Sequence, residues 1–251
     1  MSLPKPSNIT RIYFQNVNGI SVRQPGTWDI TCSHTCNIEV NLALFAEHKL
    51  DTQQPQVLSS LYKGSRKISG MGTFTINATS TSIKAATTHK PGGVMTLIPG
   101  STKGRVLESG QDPQGRWVYT KLRQATGPPI TIINTYQVLD INPKQAGPTT
   151  YASQLYAAYT QEHRSQPQKL RHHHATDLQL FVQECQDNGD WVIVAGDFNE
   201  VLGMTTRGLT QLHSECGLID PILEKHGTTD FSTYQWGKSV IDYILVDPNI
   251  S

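Results

Sequence analysis

Short apolar runs that end in polar residues recur along this chain, and the clearest lies at residues 191–200. It joins an aliphatic stretch to a glycine and then to Asp197 and Asn199. A run of this length and composition, bounded by a polar turn, predicts a strand buried on both faces. The residues that follow this strand fit either an ordinary Asx turn or a site for a hard cation, a water molecule or a phosphate ester.

Other apolar runs carry polar side chains at or near their ends. Runs at 11–20, 41–49, 130–138 and 240–246 are rich in strand-forming residues. An aspartate inside the last run would cost several kcal/mol if unpaired, so it needs a partner or a function. Strand ends along one sheet edge converge in space, which is how a rigid scaffold presents functional groups. The polar side chains are Asn16, Asn18, Glu47, Asn134, Tyr136 and Asp242.

Helical periodicity is strongest at 149–165 and 168–187, and a third helix is expected at 209–215. Three consecutive histidines, 172–174, lie in the second of these segments. Consecutive helical side chains project about 100° apart, so these three cannot chelate one ion together. We assign them to the helix surface, or to a modest basic patch with Arg164, Lys169 and Arg171.

The N-terminal half has a weaker helical signal. Segment 26–40 is irregular or helical. Segment 57–82 is rich in Ser, Thr and Gly, with alternating apolar positions at Phe74 and Ile76, and no helix is predicted there.

The length of the chain fits one large domain, with two small domains as the alternative. The chain has 251 residues and a net charge of +1, and no segment approaches the ~18 apolar residues of a membrane span. A charge so near zero argues against a protein that coats a polyanion, although it permits a local basic face. We expect a soluble, intracellular protein that contacts no membrane and has no signal peptide.

The four cysteines are too few for a disulfide scaffold at this length. The segment Cys32-Ser33-His34-Thr35-Cys36 invites a zinc interpretation, but structural zinc takes four ligands and no second ligand pair stands at a suitable spacing. Reduced cysteines that bind no metal are therefore expected.

Five motifs, in order and spread over almost the whole chain, resemble those of the endonuclease/exonuclease/phosphatase superfamily. The resemblance implies a single DNase I-like domain over residues 1–251. It also implies an α+β fold, a four-layer α/β/β/α sandwich of two mainly antiparallel sheets. The motifs are Gln15-Asn16-Val17-Asn18-Gly19, Ala46-Glu47-His48-Lys49, Asn134-Thr135-Tyr136, Gly196-Asp197-Phe198-Asn199 and Ile241-Asp242-Tyr243-Ile244-Leu245.

The resemblance also implies a divalent cation, Mg²⁺ with Mn²⁺ as the alternative. Glu47 would be its principal ligand, with Asn16 beside it. Mg²⁺ prefers oxygen ligands in octahedral geometry and keeps several of its waters, so one carboxylate and one amide suit it. The ion would polarise a phosphoryl oxygen and offset charge on the leaving oxygen.

The remaining motif residues take catalytic and binding roles by the same resemblance. Asp197 would orient or deprotonate the attacking water, and Asn199 would hold the phosphate or that water. Tyr136 would donate to a phosphate oxygen or stabilise the leaving group. Asp242 resembles an acid that lies near a catalytic histidine and orients it. Two further residues, Asn18 and Asn134, are expected to bind substrate.

One motif of the family is absent from this sequence. A Ser-Asp-His tripeptide is expected after the strand that carries Asp242, and none occurs among the 251 residues. We therefore expect the domain to be C-terminally incomplete, to lack its last strand and to leave a sheet edge unpaired. Loss of the histidine would lower hydrolysis by ~10²–10⁴-fold.

The helices at 149–187 and the run into Gly-Asp-Phe-Asn are similar to endonuclease domains of non-LTR-type retroelements. The leading hypothesis is a DNA-nicking endonuclease, nuclear if the element is eukaryotic, with a reverse transcriptase domain in the full-length protein. A small-molecule or lipid phosphatase or an RNA exonuclease of the same fold is the alternative. An inactive nucleic-acid-binding fragment, lacking the catalytic histidine, is a third.

Overall fold

Two β-sheets form the centre of the molecule. The computed structural model describes residues 5–6, 9–22, 26–67, 75–79, 89–139, 150–160, 163, 169–227, 232–233, 237 and 239–250. The first sheet, in the order β1-β2-β4-β3, contains β1 (Ile12–Asn16), β2 (Leu42–Ala46), β3 (Thr75–Thr79) and β4 (Val94–Ile98). The second sheet, in chain order, contains β5 (Val106–Gln111), β6 (Trp117–Leu122), β7 (Ile130–Tyr136), β8 (Trp191–Asp197) and β9 (Asp242–Val246).

Helices pack around the two sheets. They are α1 (Thr27–Asn37), α2 (Pro55–Lys67), α3 (Gly100–Lys103), α4 (Thr150–Thr160), α5 (Leu170–Asp187), α6 (Leu209–Glu215) and α7 (Pro221–His226). On the first sheet, Trp28 of α1 and Leu61 of α2 pack with Phe45. On the second sheet, Leu178 of α5 packs with Val194. The order of layers is thus helices, sheet, sheet, helices.

A separate apolar core joins the inner faces of the two sheets. Leu42 and Leu44 of β2 pack there with Ile132 of β7 and with Ile193 and Ala195 of β8. These side chains are at most 5% exposed. The pairs β1–β2 and β7–β8 are parallel and the other neighbours are antiparallel. The predicted four-layer sandwich of two mainly antiparallel sheets is confirmed.

Strand β8 lies inside the second sheet and is covered on both faces, as its aliphatic sequence predicts. Val192 and Val194 face the outer helices, whereas Ile193 and Ala195 face the first sheet. Gly196 follows because no side chain fits there. An alanine Cβ at that position would lie 2.5 Å from the Thr135 carbonyl oxygen on β7.

Helix α2 is not predicted by the Ser-rich composition of segment 57–82. It forms because Val57 and Leu61, one turn apart, reach the core under the first sheet. Gly64 lets α1 approach closely, since a Cβ there would lie 2.5 Å from Trp28 Cδ1. Of the alternating positions, Ile76 lies in β3 and Phe74 falls outside the described residues.

The helices around the second sheet follow the sequence pattern closely. The third predicted helix, α6, has the expected bounds, and α5 begins two residues after its predicted start. Of the first predicted helix, 149–165, the structure describes α4 and residue 163. Over the described ranges, no helix has the length and apolar character of a membrane crossing.

Candidate active site

The polar strand ends meet at one end of the sandwich. The C-terminal ends of β1, β2, β7 and β8 and the N-terminal end of β9 converge there, because β1–β2 and β7–β8 run parallel while β8 pairs antiparallel with β9. Asn16, Glu47, Tyr136, Asp197, Asn199 and Asp242 therefore come from five separate strands or their exits.

Asn16 links the two sheets at this end. Its Nδ2 donates to Glu47 Oε2 at 3.2 Å and to Asp197 Oδ2 at 2.8 Å. Its Oδ1 accepts the backbone N–H of Asn18 at 2.8 Å. One amide group thus holds two carboxylates in position and still has one acceptor lone pair free for a cation.

Lys49 completes this cluster, and the motif analysis assigned it no role. Its ammonium lies 3.2 Å from Glu47 Oε1 and also donates to Asn18 Oδ1. The signal that could have identified it is its position two residues after Glu47, on the same strand exit. Lys49 offsets the charge of Glu47 and holds the side chain of Asn18, the expected substrate-binding residue, beside the carboxylates.

Unusual backbone conformations concentrate at these positions. Among the described residues, six non-glycine residues have positive φ, and four of them are Asn18, Glu47, Lys49 and Asn199. Such conformations cost free energy, and they cluster where a fold must aim side chains at a functional site. The strand exits are therefore built to direct these polar groups inward.

Asp197 is the most buried carboxylate of the cluster, at 4% exposed. Its Oδ1 accepts the backbone N–H of Asn199 at 2.9 Å. Burial raises its pKa to about 6, with Asp242 and Glu47 adding to the rise, while the hydrogen bonds from Asn16 and Asn199 oppose it. A carboxylate with a pKa near the working pH is suited to accept a proton from water.

Asp242 stands directly opposite Asp197 in the β8–β9 pair. Burial raises its pKa, against a hydrogen bond with the Thr233 side chain. Its Oδ1 is buried and has no hydrogen-bond partner among the described residues. A buried oxygen of this kind needs a donor or a cation to satisfy it.

Tyr136 and Asn199 form the other side of the cluster. The Tyr136 hydroxyl is hydrogen-bonded to the Asn199 side chain, and its pKa is raised by burial and by the charges of Glu47 and Asp197. It therefore remains a protonated donor at neutral pH. Asn199 Nδ2 also donates to the Gln137 carbonyl oxygen at 2.7 Å, which anchors the turn after β8.

Asn134, expected to bind substrate, has a different position. Its side chain is 0% exposed, and its Nδ2 donates to the carbonyl oxygens of Phe45 and Met95 at 3.0 and 2.9 Å. Both acceptors belong to the first sheet, so Asn134 ties the two sheets together. The expectation of a substrate contact is corrected on this geometry, because both amide hydrogens point into the core.

His174 also departs from its expected place on the surface, since it is 1% exposed. Its Nδ1 lies 3.1 Å from Gln137 Oε1, and its Nε2 lies 2.8 Å from Thr135 Oγ1. Because Gln137 Nε2 donates to Glu200 Oε2, its Oε1 must accept, and Nδ1 carries the hydrogen. Burial, then the charges of Arg116 and Arg171, lowers the pKa of the imidazole well below 6.5. A neutral His174 thus fixes Gln137, which in turn holds Asn199.

His174→Gln is expected to flatten the acid limb of the stability profile. The unfolded chain takes up a proton below about pH 6.5 that the folded, neutral imidazole refuses. The wild-type free energy of unfolding should therefore fall about 1.4 kcal/mol more per pH unit than that of the variant. Urea unfolding at pH 7.5, 6 and 5 measures both slopes. Parallel slopes would show that His174 is protonated in the folded chain.

The donor set fits a partly hydrated divalent cation. Glu47, Asp197 and Asp242 place carboxylates at this end of the sandwich, and Lys49 contacts Glu47. The buried Asp242 Oδ1 has no hydrogen-bond partner among the described residues, and the charges of Asp242 and Glu47 add to the burial that raises the pKa of Asp197. In the described part of the chain, no group of three or more His, Cys, Asp or Glu residues has a metal-binding arrangement. A cation here would thus rely on Glu47, Asn16 and water, which suits Mg²⁺.

Known proteins resemble this chain in fold but not detectably in sequence. No protein-family model and no curated protein matches the sequence. Among solved structures, AP endonuclease LMAP from Leishmania major matches with a TM-score of 0.61 at 13% identity, over 95% of this chain and 79% of that chain. The Xenopus laevis APE2 catalytic domain matches with a TM-score of 0.61 at 15% identity, over 95% and 82%.

A third structure, 3' phosphatase NExo from Neisseria bound to a product DNA hairpin, matches with a TM-score of 0.56 at 16% identity, over 96% of this chain and 88% of that chain. All three are members of one superfamily, and identities this low are evidence of a shared fold. The chain has the α/β/β/α sandwich fold of the endonuclease/exonuclease/phosphatase superfamily.

Proposed function

We propose that this chain is a divalent-metal-dependent phosphodiester hydrolase that acts on nucleic acid, with DNA nicking as its leading activity. The observation that carries the proposal is the single cluster at the strand ends. There Asn16 bridges Glu47 and Asp197 at 3.2 and 2.8 Å. Tyr136 and Asn199 lie against the same carboxylates. The AP endonucleases and the DNA-bound phosphatase of the same fold support a nucleic-acid substrate.

Four residues of the cluster take distinct roles in this proposal. Asp197 holds the attacking water and accepts its proton, because it is the buried carboxylate whose pKa is raised to about 6. Tyr136 stays protonated and donates to a phosphate oxygen. Asn199 orients the phosphate, and Asn18 binds substrate beside Lys49. A bound Mg²⁺ or Mn²⁺ would supply charge neutralisation at the phosphate.

The narrower assignment rests on sequence resemblance. We propose a retroelement-type endonuclease, which implies a reverse transcriptase domain in the full-length protein and a nuclear location in a eukaryotic host. The expected Ser-Asp-His motif is not among these residues. We therefore expect slow turnover from this chain, lower by ~10²–10⁴-fold than with a histidine acid or base.

The test is nicking of supercoiled plasmid in Mg²⁺ or Mn²⁺, together with calorimetric titration of each metal. We expect slow, EDTA-sensitive conversion to open circles and binding of the metal to the folded chain. Release of inorganic phosphate from a 3'-phosphorylated oligonucleotide without strand breaks would point to a phosphatase. A folded chain that neither binds metal nor cleaves would refute the proposal.

Glu47→Gln is expected to weaken metal binding by at least ~100-fold, because loss of a ligand exceeds the ~10–100-fold cost of losing a supporting partner. Glu39→Gln is a matched control. Glu39, like Glu47, is a glutamate with positive φ. However, Glu39 is exposed and lies before β2, whereas Glu47 lies directly after that strand. If the two variants bind the metal with equal affinity, Glu47 is not a metal ligand.

A further inference from the structure

A groove runs beside the candidate active site, between the start of α5 and the loop after β8. Its volume is about 480 Å³. We call it the basic groove, and its lining includes Lys169, Arg171, His172, Glu200, Thr205 and Arg207. We propose that the basic groove binds the phosphodiester backbone of the nucleic-acid strand next to the reacting phosphate. This inference rests on the proposed function and assigns it a second contact surface.

Arg171 connects the basic groove to the candidate active site. Its guanidinium donates to the Asn199 carbonyl oxygen at 3.1 Å and to Glu200 Oε2 at 3.0 Å. Asn199 is hydrogen-bonded in turn to Tyr136. A strand whose phosphate lies at Tyr136 and Asn199 therefore has the basic groove as its immediate continuation.

The basic groove has more positive than negative charge. Among the described residues that line it, Glu200 is the one carboxylate, and it is already bonded by Arg171, by Gln137 and by the Thr205 hydroxyl at 2.8 Å. Lys169 and Arg207 are exposed, and no ion pair joins either to another described residue. In a chain with a net charge of only +1, two unpaired cations beside the site form a local basic face.

The composition of the groove favours the backbone over the bases as the ligand. Apart from the imidazole of His172, the lining residues that the structure describes include no aromatic ring on which a base could stack. Its free groups are cations and the Thr206 hydroxyl, which are donors to phosphate oxygens. Such contacts position a strand without reading its sequence, and they release counterions, so they depend on salt.

The test compares oligonucleotide binding by Lys169→Gln/Arg207→Gln with wild type. Fluorescence anisotropy with labelled 20-nucleotide DNA and RNA strands, in EDTA, excludes cleavage. We expect the double variant to raise Kd by ~10–100-fold. The slope of log Kd against log salt should fall by ~1.4, since each lost phosphate contact on a single strand removes ~0.7. Both side chains are exposed, so thermal unfolding should match wild type.

Lys103→Gln/Arg123→Gln is the matched control. It removes the same charge from exposed positions at the opposite ends of the strands, after β4 and after β6. We expect wild-type binding from it. If the two double variants bind both strands with the same Kd and salt slope, the proposal is wrong. Loss of binding to DNA alone, RNA alone or both supports it and identifies the strand.

A hydrolysis assay separates this inference from the proposed function. Bis(p-nitrophenyl) phosphate is too small to span the active site and the basic groove, so Lys169→Gln/Arg207→Gln should retain wild-type kcat/KM on it. On an oligonucleotide, KM should rise with little change in kcat. A chain that cleaves neither substrate refutes the proposed function, while the binding measurements in EDTA still decide the role of the basic groove.

Discussion

Asp197→Asn is expected to lower kcat for phosphodiester cleavage by ~10²–10⁴-fold, the usual cost of removing a general base. The amide has nearly the same shape as the carboxylate but cannot accept a proton from water. It also cannot accept both the Asn16 Nδ2 and Asn199 N–H hydrogen bonds, because one of its two terminal atoms is a donor. Single-turnover cleavage of a labelled oligonucleotide in Mg²⁺ measures the effect.

The same substitution is expected to stabilise the metal-free fold. Because the pKa of Asp197 is raised from 3.8 to about 6, the folded chain holds this proton more tightly than the unfolded chain. Ionisation at pH 7.5 therefore costs about 3 kcal/mol of stability. The neutral amide avoids this cost, but the loss of one hydrogen bond offsets about 1 kcal/mol of the stability gained. We expect the free energy of unfolding in EDTA to rise by about 1–2 kcal/mol.

A substitution that lowers kcat but raises the free energy of unfolding identifies a functional carboxylate. A structural aspartate would lose stability when neutralised, because its hydrogen bonds would be weakened without relief of repulsion. Asp112→Asn is a useful comparison, since Asp112 is 3% exposed and is paired with Arg116. We expect that variant to lose stability. If Asp197→Asn also loses stability and keeps its kcat, Asp197 is not the base.

Arg116→Leu is expected to lower the free energy of unfolding by about 3–5 kcal/mol, which is the cost of removing one partner from a buried ion pair. The guanidinium is 4% exposed. It donates to both oxygens of Asp112, at 2.9 and 2.8 Å, and to Asp177 Oδ2 at 2.8 Å. Without it, Asp112 remains buried and uncompensated. Urea unfolding at pH 7.5 measures the loss.

Arg123→Leu controls for the loss of an arginine as such. Arg116 directly precedes β6 and Arg123 directly follows it, but Arg123 is exposed, so its removal should change stability by less than about 0.5 kcal/mol. Equal stability of the two variants would show that Asp112 becomes solvated or protonated without cost.

Local periodicity was enough to predict the elements that flank the site. The aliphatic run before Gly196 predicts a strand covered on both faces, and β8 is such a strand. The apolar period at 209–215 predicts α6 with its observed bounds. Helix α2 was missed because the Ser-rich composition of segment 57–82 was weighed above its period, although Val57 and Leu61 are spaced one helical turn apart on the buried face.

Sequence patterns could not separate polar residues that look alike. Asn16 and Asn134 both lie in apolar runs, yet Asn16 contacts Asp197, 181 positions away, and Asn134 contacts Phe45, 89 positions away. His174 repeats at helical spacing with Leu170 and Leu178, so its period indicated burial and its polarity indicated the surface. Packing decided the matter, because Thr135 and Gln137 supply hydrogen-bond partners inside the protein.

By itself the sequence determined the strand exits, their acidic and amide side chains and the glycine before Asp197, since these depend on neighbours along the chain. Only the tertiary structure decided that Asn16 joins Glu47 to Asp197. It also decided that Lys49 belongs to this cluster and that Asn134 does not. The reason is physical. A hydrogen bond or an ion pair is set by distances across the two sheets, and strand periodicity gives the face of a residue but not its partner on the other sheet.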